Sequence, residues 1–338
     1  MNKVFKALIV RQNGKKFSRS IEKRSIDDLP NGEVLIRVYY SSLNYKDVLS
    51  CLGNRTVTRH YPHTPGVDAA GIVEHSLDNK FKAGDKVVVI SFDLGMNTSG
   101  GFGQFIRVPA DWVMPLPKGL TLHESMIFGT AGFTAGCALS LLKEHNITPD
   151  SGPIVVTGAS GGVGSVSVAI LSSLGFNVTA SSGSEGAIDF LKKLGASEVI
   201  DRNAINDESG RSLLKEVWAG GIDSIGGNTL STILKSSKKN GVVLSIGLAS
   251  SPKLDSTVFP FILRGVILRG VAASENSMET RMMVWSKLAS EWKPKNLELI
   301  AITCELEQLD SEIDKSLNGS QKGRLVIDMR SKIKDNTF

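Results

Sequence analysis

The sequence has little cysteine and little histidine. Three cysteines, Cys51, Cys137 and Cys304, are scattered through 338 residues. An odd count at wide spacing, with no CxxC pair, excludes a disulfide framework and a cysteine-rich structural zinc lobe. The five histidines form no HxxxH or Cys-His pattern, and His60 and His63 flank Pro62 beside Pro65, as in a surface loop. No bound metal is expected. Long apolar runs are also missing: none approaches the ~20 residues that cross a bilayer, so no membrane partner is expected. Lys3 and Lys6 stand near the N-terminus without the apolar stretch of a secretory signal, which points to a cytoplasmic protein. Charge is not concentrated either. Lysine and arginine number 39 against 34 acidic residues, a net +5, and only the tail at Arg330, Lys332 and Lys334 is locally basic. Scattered cations without a basic aromatic patch argue against a nucleic-acid partner and for a solvated surface that attracts anions.

What is present falls into two parts, each large enough to bury a core. Up to about residue 125 the chain reads as short strands punctuated by glycine and proline, as in a small barrel. Val34 to Tyr39 follows Pro30-Asn31-Gly32, Val67 to Glu74 follows Pro65-Gly66, Val87 to Ser91 follows Ala83-Gly84-Asp85-Lys86, and Gln104 to Val108 follows a glycine cluster. From Ser125 the pattern turns helical, to Leu142. Strands and helices then alternate: Ile154–Thr157, Gly162–Leu174, Asn177–Ser181, Glu185–Leu194, Glu198–Ile200, Ser209–Val217, Ile222–Ile225, Asn228–Ser237, Gly241–Ile246 and Val266–Val271. This βαβ rhythm predicts an α/β fold with a doubly wound parallel sheet. A long helix, Met278–Trp292, a strand at Leu299–Thr303, a helix to about Leu317 and a strand at Leu325–Met329 close the chain and are expected to pack back on the N-terminal part.

The strongest local motif is Ile154-Val-Val-Thr-Gly-Ala-Ser-Gly-Gly-Val-Gly164. A strand stops, a glycine-rich turn follows and a helix begins, so that backbone N–H groups face a pyrophosphate. Ala159, Gly161 and Gly164 occupy the three GxGxxG slots. The same residues fit TGxxxGxG, but that short-chain pattern needs a later Tyr-x-x-x-Lys. All four tyrosines, Tyr39, Tyr40, Tyr45 and Tyr61, precede the loop, and the short-chain reading is rejected. At the end of the next strand, Ala180-Ser181-Ser182-Gly183-Ser184 carries no carboxylate for a ribose 2′-hydroxyl. Its hydroxyls, with Arg202 as cationic partner, suit a 2′-phosphate, and NADPH is the expected cofactor.

The order Ser41-Ser42-Leu43-Asn44-Tyr45-Lys46-Asp47, Pro65-Gly66-Val67-Asp68-Ala69-Ala70-Gly71, Gly129-Thr130-Ala131-Gly132-Phe133-Thr134-Ala135, the glycine-rich loop, Asp223-Ser224-Ile225-Gly226-Gly227 and Gly323-Arg324 resembles the medium-chain dehydrogenase/reductase superfamily. Asn44-Tyr-Lys-Asp, Gly129-Thr-Ala-Gly-Phe-Thr-Ala and Phe259-Pro-Phe-Ile-Leu-Arg-Gly265 narrow the resemblance to the YhdH/YhfP quinone oxidoreductase group, which includes acrylyl-CoA reductases of the AcuI type. The resemblance covers essentially the whole chain. It implies a GroES-like β-barrel domain at 1–125 and 273–338, an inserted Rossmann domain at 126–272, an active site in the cleft between them, and a homodimer joined near Val266–Val271.

Zinc-dependent relatives carry Cys-His where Asn44-Tyr45 stands and His at Val67. The resemblance therefore implies zinc-independent hydride transfer to an electrophilic small molecule, an activated C=C such as an acrylyl-CoA thioester or a quinone. A non-catalytic NADPH-binding protein is the alternative. By carry-over, Tyr45 and Asn44 are the expected catalytic residues, Tyr45 also touching the cofactor. Ser160, Gly161, Gly162 and Val163 are expected to cradle the pyrophosphate. Ser182, Gly183, Ser184 and Arg202 would surround the adenosine phosphate, and Leu248 and Ile262 would cover the nicotinamide half. Asn318 and Arg324 are further candidates. Ala273 stands where the family often has Ser. Arg264, Arg269 and Arg281 are candidate contacts for a CoA phosphate.

Overall fold

A computed structural model describes residues 3–184 and 186–330; Glu185, Lys332 and Lys334 lie outside the described residues. The chain opens on a hairpin that the strand pattern had not marked out. Strands β1 (Val4–Asn13) and β2 (Lys16–Ser25) turn through Gly14 and Lys15, with Gly14 at φ +65°. A two-residue hairpin loop needs that positive φ, which glycine adopts without a steric cost. There follow β3 (Val34–Ser42), α1 (Tyr45–Cys51), β4 (Asp68–Ser76), β5 (Lys86–Ile90), β6 (Phe105–Val108) and the short β7 (Met114–Pro115).

Helix α2 (Leu122–Glu144) is two helical runs joined at Gly129, whose φ of +49° and ψ of −152° break the helix. By length and composition α2 is apolar enough to cross a membrane, contrary to the reading that no such run exists. However, 83% of its apolar window is buried inside the fold, as in a core helix.

The next elements are β8 (Ile154–Thr157), α3 (Gly162–Ser173), β9 (Val178–Ser182), α4 (Ala187–Lys193), β10 (Glu198–Asp201), β11 (Trp218–Asp223), α5 (Gly227–Lys235), β12 (Ser237–Ser245), α6 (Phe259–Arg264) and β13 (Ile267–Gly270). They form a six-stranded sheet in the order β10-β9-β8-β11-β12-β13, every pair parallel. The strand order reverses between β8 and β11, and that crevice is where doubly wound sheets bind ligands. Residues 209–217, expected to continue the alternation, form no helix. The segment runs irregularly, with Gly210 at φ +70°, and its Leu214 and Val217 N–H groups bond to the Lys235 and Ser236 carbonyls instead.

The chain closes with α7 (Met278–Leu288), β14 (Ala301–Glu305), α8 (Leu309–Leu317) and β15 (Arg324–Asp328). Two compact units result. The first takes the chain to Thr130, Ser277–Met282 and Ala301 onward; the second takes Ala131–Asn276 and Met283–Ile300. In the first unit a sheet runs β14-β15-β3-β4-β5-β7, with β6 on β3. Leu8, Ile36, Val48, Ile106, Leu306 and Leu325 meet in its core. In the second, Val155, Ile233, Leu234 and Val243 fill the space between α5 and the sheet.

Residues 283–300 differ from the expected 273–338 boundary. Val284, Trp285, Leu288 and Trp292 are buried, and a Cβ on Gly136 of α2 would fall 2.6 Å from Val284 Cγ1. Lys143 and Lys287 lie over the Trp292 ring, 5.4 and 4.8 Å from its centroid. Apolar side chains spaced along a charged helix carry this segment into the second unit.

Candidate functional site

In the second unit the glycine-rich turn leaves β8 at the switch point. Gly158 has φ +57°, open to glycine at little cost, and a Cβ on Gly164 would fall 2.7 Å from Ala159 Cα. These two positions set the tight turn and the close approach of α3 to the strand. Gly161 caps α3, and the Gly162 and Val163 N–H groups belong to the first turn, which has no intrahelical acceptor. Across the crevice, Thr157 Oγ1 donates to Asp223 Oδ1 at 2.6 Å, and the Gly226 N–H donates to Asp223 Oδ2 at 2.7 Å. Burial pushes the Asp223 carboxyl up, against these hydrogen bonds. The neighbouring Ser224 hydroxyl is buried and without a hydrogen-bond partner. An anion on the turn fits this cradle: free N–H groups, no Cβ at Gly158 or Gly161, and an orphaned hydroxyl beside them.

The residues expected at the adenosine end lie together. Ser160 Oγ lies 3.0 Å from Ser182 Oγ and donates to Ser184 Oγ at 3.4 Å, and the Ser184 N–H donates to Ser182 Oγ at 3.2 Å. Arg202, just past β10, lies against Gly183. Leu248, in the loop after β12, and Ile262, on α6, expose 63% and 69% of their surface.

The first unit holds Asn44 and Tyr45, where β3 ends and α1 begins. Asn44 is fastened on every side. Its Nδ2 donates to Asp68 Oδ2 at 2.7 Å and to the Ser42 carbonyl at 3.2 Å. Its Oδ1 accepts from Arg324 at 3.2 Å, and its backbone N–H donates to Asp47 Oδ2 at 2.8 Å. Both amide hydrogens are thus committed. Asp68 also accepts from Ser42 Oγ at 2.6 Å and from the Thr130 N–H and hydroxyl. Arg324 donates to the Ile127 and Leu43 carbonyls and to Ser42 Oγ. Both Asp68 and Arg324 are buried, and burial pulls the guanidinium down against the neighbouring carboxylates. Asp47, wholly buried, accepts from the Gly66 and Val67 N–H groups; burial and then the Asp68 charge push its carboxyl up to about 7.

Tyr45, by contrast, is 68% exposed. Asn318 lies past the end of α8, whose Leu317 shares a cavity with Cys51 and Leu52 at the far end of α1. Of the arginines set out for a CoA phosphate, Arg281 is fully buried over the Phe92 ring. Arg264 is spent on the Lys235, Ser237 and Leu214 carbonyls, and Arg269 pairs with Glu144. The first two are structural and cannot serve that role.

Of the residues that fasten Asn44, sequence reasoning singled out only Arg324, as a further candidate. Ser42, Asp47, Asp68 and Thr130 stood inside the quoted motifs, but only their convergence reveals their work.

A tetrahedral zinc site does not fit here. Asn44, Tyr45 and Val67 offer no imidazole or thiolate, and among the described residues no group of three or more His, Cys, Asp or Glu side chains converges. Burial pushes the thiols of Cys51 and Cys304 up, the latter to about 12, away from the thiolate form that binds metal.

Comparison with known proteins agrees with this architecture. Residues 30–118 match the alcohol dehydrogenase GroES-like domain, and residues 162–289 match the zinc-binding dehydrogenase family. The chain is 41% identical to the acrylyl-CoA reductase AcuI of Ruegeria pomeroyi over 97% of its own length and 100% of the relative's. The YhdH oxidoreductase of Salmonella enterica, solved in complex with NADP, superposes with a TM-score of 0.93 at 38% identity, over 96% of this chain and 100% of that one. YhfP of Bacillus subtilis, solved with NAD bound, gives 0.93 at 39% identity, over 96% and 99%.

Proposed function

We propose that this chain, which belongs to the medium-chain dehydrogenase/reductase superfamily and within it to the YhdH/AcuI group, is a zinc-independent reductase of activated C=C bonds or quinones that uses NADPH. The observation that carries the reading is the acid-free, hydroxyl-lined end of β9 next to a phosphate-shaped turn at the switch point. Where bound, the reduced nicotinamide supplies a hydride, and without a Lewis acid the acceptor must already be polarised, as in an acrylyl thioester or a quinone.

The turn residues Ser160, Gly162 and Val163 hold the pyrophosphate through N–H groups, and Gly161, whose own N–H is taken by the Gly158 carbonyl at 2.9 Å, lets it approach by lacking a side chain. Leu248 and Ile262 shield the reactive end from water. Tyr45 presents its hydroxyl to the acceptor oxygen and donates a hydrogen bond, or its proton, as charge gathers there. Asn44 has no amide hydrogen left for the acceptor, so its part is to hold Tyr45 at the first position of α1 and to offer the remaining lone pair of Oδ1 to a ribose hydroxyl. The three free, buried cysteines suit a reducing compartment such as the cytoplasm. Strand β13, at one edge of the six-stranded sheet, is the edge we assign to pairing with a second copy.

The test is loss of NADPH absorbance with acrylyl-CoA and with a quinone panel. Turnover with neither would sink the reading. Tyr45→Phe is expected to lower kcat about 10²-fold if the hydroxyl is the proton donor; unchanged turnover would remove Tyr45 from that role.

A further inference from the structure

Tyr45 is the first residue of a helix of seven, and 68% of its surface is exposed. Its hydroxyl has no hydrogen-bond partner among the described residues, so the ring is aimed only by the backbone that carries it. A helix this short does not hold itself in water. One side chain fastens its N-terminus. Asp47 Oδ2 accepts the Asn44 N–H at 2.8 Å, while Oδ1 accepts the Gly66 and Val67 N–H groups at 3.1 and 2.9 Å. The carboxyl is fully buried and ties α1 to the turn before β4. All three partners are donors, which suits a carboxylate, an acceptor at every lone pair. The charges around it come from two other elements. Asp68 on β4 opposes its ionisation, and Arg324 on β15 favours it. None of the Arg324 hydrogen bonds goes to Asp47. On α1 itself the nearby titratable group is the Cys51 thiol, which burial pushes up.

We propose that Asp47 is a positioning residue for the reduction: as a carboxylate it clamps the first turn of α1 and so aims Tyr45, and when it takes up a proton the clamp opens and turnover falls. The inference rests on the reading of Tyr45 as the group at the acceptor oxygen. A proton on Oδ2 turns the acceptor that faces the Asn44 N–H into a donor needing an acceptor of its own, and the bond at the start of α1 is weakened. Burial and the Asp68 charge bring this change to about 7. The proton that favours the fold at low pH therefore disables the site.

The test is kcat for NADPH oxidation at saturating acceptor, in the wild type, Asp47→Asn, Tyr45→Phe and the double variant, from about pH 5.5 to about pH 8.5. Wild-type kcat is expected to rise about tenfold or more across that window, with its midpoint near 7. Asp47→Asn keeps the Oδ1 acceptor and sets an NH2 group against the Asn44 N–H. Its kcat should lie about tenfold below the wild-type plateau and lose the rise, with KM for NADPH little changed. Tyr45→Phe should lose the rise as well, and adding Asp47→Asn to it should cost little more, because both act through one hydroxyl. No rise in the wild type, a rise that persists in Asp47→Asn, or losses that multiply in the double variant would each overturn the role of Asp47 while leaving Tyr45 in place. Should Asp47→Asn not fold, Tyr45→Phe decides alone: a rise near 7 that survives loss of the hydroxyl overturns the proposal. Wild-type kcat in Tyr45→Phe would overturn the Tyr45 reading, and this inference with it.

Discussion

At the scale of single residues, the buried polar network under Asn44 carries the clearest consequences. Arg324 and Asp68 are both sealed from solvent, and removing one partner leaves the other charge uncompensated. Arg324→Ala is expected to cost about 3–5 kcal/mol in a denaturant titration. The second consequence concerns pH. Asp47 has its carboxyl raised in the folded state to about 7 from the ordinary 3.8, by burial first and by Asp68 second. The folded protein thus binds the Asp47 proton more tightly than the unfolded chain does. Its contribution to stability is greatest below the unfolded value and declines as pH rises from about 4 to about 7. Stability measured across that window should slope downward from this group, and Asp47→Asn should flatten the slope. The motif Asn44-Tyr-Lys-Asp was legible in the sequence as a unit. That Asn44 is held and Tyr45 presented was not, because the acceptors that take Asn44's hydrogens come from β3 and β4 and the donor to its Oδ1 from β15, up to 280 positions away.

At the scale of elements, the glycine pattern reads well where it serves local geometry and poorly where it serves packing. The βαβ alternation and the turn at Gly158–Gly164 were visible because strand, turn and helix follow one another along the chain. The break in α2 was not. Gly129 looks like one more small residue in a helical run, yet it takes φ +49° and packs where a Cβ would fall 2.6 Å from Ser42 Oγ and against the Asp68 carboxylate. Gly129→Ala should therefore destabilise by about 2 kcal/mol or more, seen as a lowered melting temperature, since strain and displacement of a buried charge add. Gly14 also has a positive φ but nothing near its Cβ position, so the same change there should bring only the backbone strain and cost less than at Gly129. Residues 209–217 failed as a helix for a related reason: their N–H groups found partners on the end of α5, and local propensity yielded to tertiary hydrogen bonds.

At the scale of the whole molecule, ligand binding and stability are linked. A dinucleotide that binds the folded chain at a hundred times its Kd should raise the unfolding free energy by about 2.7 kcal/mol. At equal concentration NADPH should shift the melting temperature more than NADH, and exhaustive dialysis against a chelator should leave turnover unchanged. A chelator-sensitive activity would restore a metal to the mechanism. Fold class, the βαβ alternation of the second unit and the glycine-rich strand-turn-helix were legible in the sequence alone, because each depends on residues that are neighbours along the chain. The fastening of Asn44, the seat of Arg202 at Gly183 and the burial of Arg281 were decided only by tertiary structure. Each is a matter of which distant side chains share one small volume, and exclusion of water and of overlapping atoms acts on distances in space.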